Sequence, residues 1–130
     1  MKSIIMKFAA IVAMIGVWAT AAADTSYREV WTCKIAEGKT MDDVRAANSR
    51  WVKFMNANVD GGEIASHIVT TVVGDVTDGS FVYVDSFPTL ESWTATKSAT
   101  EGNVEGEAID EALNEVADCS ENRLLEAEES

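Results

Sequence analysis

Phe81-Val-Tyr-Val-Asp-Ser-Phe-Pro-Thr-Leu-Glu-Ser-Trp93 is the stretch on which the fold turns. Aromatic and β-branched residues favour a pleated strand from Phe81 to Ser86. Phe81 and Tyr83 then lie on one side, Val82 and Val84 on the other. Pro88 brings no N–H to a ladder and stops the strand. Thr89 supplies a side-chain cap for a short helix that carries Leu90 and Trp93.

Upstream, Gly74 to Ser80, with Asp78-Gly79 inside it, reads as a hairpin connection to a second strand over Ile64 to Val73. Asp60-Gly61-Gly62 ends a helix that runs to about Asn58. That helix opens on a capping-box pattern, Thr40 followed by Asp43. Val44, Asn48, Trp51, Met55 and Val59 fall on one stripe, with Arg45 and Lys53 off it. Glu37-Gly38-Lys39 is a turn. Before it, Tyr27 to Ile35 alternates, with Tyr27, Glu29, Trp31, Cys33 and Ile35 on one face. Downstream, Thr100 to Gly106 is an irregular link, and Glu107 to Asp118 is helical through Ile109, Leu113 and Val116. Asn122 to Glu128 is the last strand.

This order, βαββαβ, predicts an α+β, ferredoxin-like domain: a four-stranded antiparallel sheet with its helices on one face. The last strand then runs beside the first. Cys33, near the end of the first strand, meets Cys119, just ahead of the last. These are the only two cysteines, and they form no Cys-x-x-Cys motif, so a structural disulfide is expected rather than a redox centre. Closing so long a loop is worth about 4–5 kcal/mol on the chain-entropy model. Strands two and three are apolar on both sides, whereas one helical layer covers only one. A second copy of the chain is the simplest cover for the other, and a homodimer through the face bearing Val82 and Val84 is expected.

The compartment is legible at the start of the chain. Lys2 and Lys7 precede an apolar run from Phe8 to Trp18, and Ala19-Thr-Ala-Ala-Ala23 follows as a small-residue cleavage site. The run is too short to span a membrane. Residues 1–23 are therefore expected to be a signal peptide and 24–130 a single periplasmic or secreted domain, large enough for one core. The chain carries 10 Lys and Arg against 22 Asp and Glu, net −12, and loses two more positive charges with the leader. Such acidity disfavours nucleic acid and anionic lipid surfaces as partners, and its plainest role is solubility.

From Tyr27 to Glu128 the chain resembles the dimeric α+β barrel superfamily, which includes antibiotic-biosynthesis-monooxygenase-like and stress-responsive barrel domains. The resemblance rests on the element order and on the strand-to-helix segment Phe81–Trp93. It implies a ligand pocket between the sheet and its helices. Helix asparagine and tryptophan residues occur in cofactor-independent monooxygenases of the superfamily, and Asn48 and Trp51, one turn apart, resemble part of such a site. Haem-degrading members place a histidine after a tryptophan of the second helix; nothing after Trp93 is histidine, which counts against haem.

Asn48, Trp51, His67, Tyr83 and Trp93 are the ligand-pocket candidates. Trp31 joins them as an aromatic that can line a site for a planar apolar molecule, although filling a core is the more ordinary use of such residues. His67 is the only histidine, so no histidine cluster can hold a metal, and no cofactor is expected. Glu29, Tyr83 and Asp85 can share one face of neighbouring strands, where a buried carboxylate would act as a general base. The plainer reading puts these acids at strand ends in solvent, and that is the expectation. Asp75-Val-Thr-Asp-Gly79 lacks the spacing and closing glutamate of a calcium loop and reads as a turn. There is no glycine-rich phosphate loop and no nucleophile–base constellation. The favoured function is an exported barrel that binds a small apolar or aromatic molecule. The alternative is a cofactor-independent monooxygenase or isomerase acting on an aromatic substrate. An enclosed cavity holding Asn48, Trp51 and a titratable group would favour the enzyme, and a filled core would favour the structural reading.

Overall fold

The computed structural model describes residues 25–130; the proposed leader lies outside the described residues. Strand β1 (Thr25–Ile35) leads through a turn at Gly38 to helix α1 (Met41–Asn58), and β2 (Ala65–Val69) and β3 (Ser80–Phe87) follow. Helices α2 (Leu90–Ala99) and α3 (Val104–Val116) precede the last strand, β4 (Ala117–Glu128). The strands form one antiparallel sheet in the order β2-β3-β1-β4, so the first and last strands are neighbours, as the split βαβ order requires.

Local chemistry sets the boundaries. Thr40 accepts a hydrogen bond from the Asp43 N–H while Asp43 accepts from Thr40, the reciprocal cap anticipated for α1. Thr89 and Ser92 repeat the device at α2. Asn103 caps α3 by accepting from the Gly106 N–H, so this helix starts three residues before the expected Glu107. Gly106 is needed for contact: a Cβ there would stand 2.7 Å from Thr100 Cα and 2.9 Å from Phe54 Cζ. The Asn56 amide holds the loop after α1 by bonding both the N–H and the carbonyl of Ile64.

Two expectations are corrected. The second strand ends at Val69, paired with Val82, and does not reach Val73. Beyond that pair the chain leaves the ladder, and Val72 and Val73 stand 89% and 90% exposed in the connecting loop. β4 begins at Ala117, directly after α3, so Cys119 lies within the strand and pairs opposite Cys33, to which it is disulfide-bonded. The register shifts at this point, leaving Ser120 as an extra residue between the partners of Thr32 and Cys33. Poor β-formers such as Asp118 and Glu121 are held in β4 by pairing along the length of β1.

The three helices share one side of the sheet. On that side Glu29, Cys33, Phe81, Tyr83, Asp85 and Phe87 are buried. The core falls into two clusters. One gathers Cys33, Val44, Ala47, Phe81, Tyr83 and Val116; the other Phe54, Met55, Val59, Ile64, Phe87 and Ile109. On the opposite side Val30, Thr32, Val82 and Val84 are only half-buried. Among the described residues no helix is long and apolar enough to cross a membrane.

Candidate functional site

Antiparallel register brings two acids face to face. Glu29 pairs with Asp85 and Trp31 with Tyr83, so all four side chains point to the helical side from the two central strands. Like charges directly opposite each other destabilise a sheet. Here both carboxylates are also removed from water, Glu29 to 2% exposure and Asp85 to 7%. The expectation that these acids lie in solvent is therefore wrong. Strand ends are solvated only where nothing packs on them, and α2 covers this end of the sheet.

The two acids are treated differently. Glu29 accepts three hydrogen bonds: from Trp93 Nε1 at 3.1 Å, from Asn122 Nδ2 at 2.9 Å and from Lys97 Nζ, which also forms an ion pair with it. Its lone pairs are occupied and its charge is matched. Asp85 has no cation of its own, and its Oδ1 is buried without a hydrogen-bond partner. Burial raises its pKa to about 6; a hydrogen bond from Ser66 and the more distant Lys97 pull the other way, and Glu29 pushes it up further. Ser66 and Asn48 also bond each other, the hydroxyl accepting from Asn48 Nδ2 at 2.9 Å and donating to Asn48 Oδ1 at 3.2 Å, which ties α1 to β2 opposite Asp85. Tyr83 repeats the pattern: its hydroxyl is buried and unpartnered, and burial with the nearby Asp85 charge pushes its pKa up to about 12.

These residues line a half-open pocket of about 320 Å³ between the sheet and the helices. That is at the small end of ligand-binding cavities. Trp31 and Trp51 supply flat walls, and Asp85, Tyr83, Lys97 and Asn48 supply polar groups. The lining draws on both core clusters, which Leu113 bridges. A buried acid and a buried phenol with free hydrogen-bonding capacity are costly to leave unpaired. An acid with a pKa near 6 can remove a proton from a bound molecule at neutral pH.

Of the sequence candidates, the cavity brings together Asn48, Trp51 and Tyr83. Trp93 lies behind it and holds Glu29. His67 is not there: it sits opposite Val84 on the far side of the sheet and is exposed, because alternation along β2 sends it the other way from Ser66. Sequence reasoning missed Lys97, Asp110 and Asn114, all part of the lining. For Lys97 the available signal was its position on a capped helix four residues after Trp93, on the same helical face. Among the described residues no three His, Cys, Asp or Glu side chains gather as a metal site.

No protein-family model matches the sequence, and no curated protein matches it. Solved structures do. SnoaB, a cofactor-independent oxygenase from Streptomyces nogalater, aligns with a TM-score of 0.59 at 13% identity, over 84% of this chain and 97% of its own. A nipsnap family protein of unknown function from Agrobacterium tumefaciens str. C58 aligns at 0.57 and 11% identity, over 79% and 88%. A dimeric ferredoxin-like protein from Thermobifida fusca aligns at 0.47 and 10% identity, over 80% and 91%. At such identities the likeness is one of fold, in keeping with the four-stranded antiparallel sheet and βαββααβ order of this chain.

Proposed function

We propose that this protein is an acid–base enzyme that binds a planar, largely apolar molecule and removes a proton from it, with Asp85 as the base. Proton removal is a step that a cofactor-independent oxygenase and an isomerase can share. The reading keeps the small aromatic ligand expected from the sequence and takes up the enzymatic alternative, because the pocket, half-open rather than enclosed, holds Asn48, Trp51 and a titratable group. The observation that carries it is the buried Asp85 carboxyl with an unpartnered Oδ1. A pKa of about 6 leaves that carboxyl ionised at pH 7 yet more basic than an ordinary aspartate. The Asn48–Ser66 pair lies beside it, and Trp31 and Trp51 in the same lining suit a flat ring.

Export and self-association belong to the same proposal. The disulfide suits an oxidising compartment, as does the leader pattern of residues 1–23. The half-buried Val30, Val82 and Val84 on the helix-free face suit a homodimer joined sheet to sheet.

The test is to identify, by mass spectrometry, the molecule retained by native protein and to follow it with the enzyme in deuterated buffer and in an oxygen electrode. Exchange or turnover should rise with pH through about 6 and be lost in Asp85→Asn. A retained molecule without an acidic proton, or full turnover by Asp85→Asn, would overturn the reading. Oxygen uptake separates the oxygenase from the isomerase.

A further inference from the structure

The charges that line the pocket do not balance. Glu29, Asp85 and Asp110 face a single cation, Lys97, among the described residues. Lys97 is already matched. Glu29 accepts from its Nζ, which stands 5.6 Å from the ring centre of Trp31 and 5.2 Å from that of Trp93. Glu29 is itself fixed by Trp93 and Asn122, so the pair is a closed unit without net charge. What remains is Asp85 on β3 and Asp110 on α3, neither of which enters an ion pair among the described residues. Asp85 is 7% exposed, and its Oδ1 has no hydrogen-bond partner. Asp110 is half-buried and shares a face of α3 with Leu113 and Asn114, both in the lining. A buried carboxylate without a cation is costly, and a half-open pocket lets the missing charge come from outside.

We propose that the pocket selects an organic cation, a planar ring system bearing a protonated or quaternary nitrogen. The proposal rests on reading this pocket as the ligand site and is independent of Asp85 as a base. Trp51, Met55 and Leu113 supply apolar wall, which favours a carbon skeleton around the charge over a hydrated inorganic ion. Lys97 already occupies Trp31, whereas no cation stands over Trp51 among the described residues, so the Trp51 ring is open to the ligand's charge. Asp110 provides the polar contact. Asp85 acts through space, and its buried Oδ1 need not touch the ligand, because attraction in a partly desolvated site extends beyond contact. The chain's net charge of −12 draws cations toward such an opening and repels anions. The charged groups that share the lining with Asp85 are Glu29 on β1, Lys97 on α2 and Asp110 on α3, with the neutral Tyr83 on its own strand; α1 brings only Asn48, Trp51 and Met55. Burial raises the Asp85 pKa to about 6, so its charge, and with it part of the affinity for a cation, is lost as pH falls through that value.

The probes are N-methylquinolinium, a permanent cation, 1-methylnaphthalene, its neutral isostere, and 2-naphthoate, an anion of similar size. Equilibrium dialysis against wild-type protein at neutral pH and low salt should rank them in that order, the cation bound about tenfold more tightly than the isostere. Asp110→Asn should weaken the cation about three- to fivefold and leave methylnaphthalene unchanged. In wild-type protein the affinity for the cation should rise as pH passes upward through about 6, and in Asp85→Asn that rise should be absent. His67, on the far face of the sheet, is common to both proteins and cancels in the comparison. Naphthoate bound as tightly as the cation, or a preference for the cation that survives both substitutions intact, would overturn the proposal. Methylnaphthalene bound as well as the cation would overturn it too while sparing the aromatic pocket, and no probe bound at millimolar concentration would sink both. The wild-type ranking decides where a variant fails to fold. Turnover lost in Asp85→Asn without a preference for the cation would keep the base and remove the cation.

Discussion

The two faces of the sheet break the rule of apolar inside and polar outside in opposite directions. Under the helices, where a core of leucine and valine would be the stable choice, β1 and β3 place Glu29, Asp85 and Tyr83. On the helix-free side, where polar residues would be expected, the same strands place Val30, Val82 and Val84. Polar groups in a core lower stability unless something binds them. Apolar groups on a surface favour whatever covers them. On the function proposed above, the first deviation serves a ligand and the second a neighbouring chain, and one strand serves both through its two-residue period.

Removing the Cys33–Cys119 bridge tests the frame that keeps the faces apart, and should have the largest effect. Serine at both positions should cost about 4–5 kcal/mol in chemical unfolding, from the entropy of the long closed loop. A loss below about 1 kcal/mol would mean that β1 and β4 stay paired without it.

The outward face is broken next. Wild-type protein should be dimeric by light scattering at micromolar concentration. Val84→Lys puts a charge between Val30 and His67 and should disfavour the dimer by about 3–5 kcal/mol, leaving a folded monomer. A wild-type monomer, or a variant that stays fully dimeric, would remove the outward half of the comparison.

The inward face is sharpened by Asp85→Asn. The folded carboxyl keeps its proton up to about 6, and the unfolded one only to its ordinary 3.8. Between those values folding takes up a proton, so wild-type stability falls as pH rises through the window and stays lower above it. The variant lacks this loss and should be more stable than wild type by about 2–3 kcal/mol at pH 7, with the difference gone below pH 4. Urea unfolding at the two pH values reads it. A variant less stable than wild type at pH 7 would show that Asp85 is not held at a cost. Thr40→Ala touches neither face and should cost only about 1 kcal/mol, through the cap of α1, with the dimer and any turnover unchanged.

The sequence carried the frame because its punctuation is strong: Pro88, the caps at Thr40 and Thr89, and Gly61-Gly62 mark ends that the structure keeps. The ends of β2 and β4 were misread because strand length there depends on which partner remains in register. Val72 and Val73 look like strand and have no partner, while Asp118 and Glu121 look like loop and have β1. Asn48, Trp51 and Tyr83, placed on inward faces by periodicity, line the pocket. Glu29 and Asp85 were raised and set aside, because an acid next to valines reads as solvent-facing until a helix packs over it; Lys97, 68 residues after Glu29, was missed.

The partnering of Glu29 also sets when the site can exist. Its donors come from α2 and from Asn122, 93 residues further along the chain. β1 is made first and β4 last, and the carboxylate in the first strand has its full set of partners only when the last has joined it. During synthesis the chain carries a half-made sheet with Glu29 short of a partner until the last strand is in place.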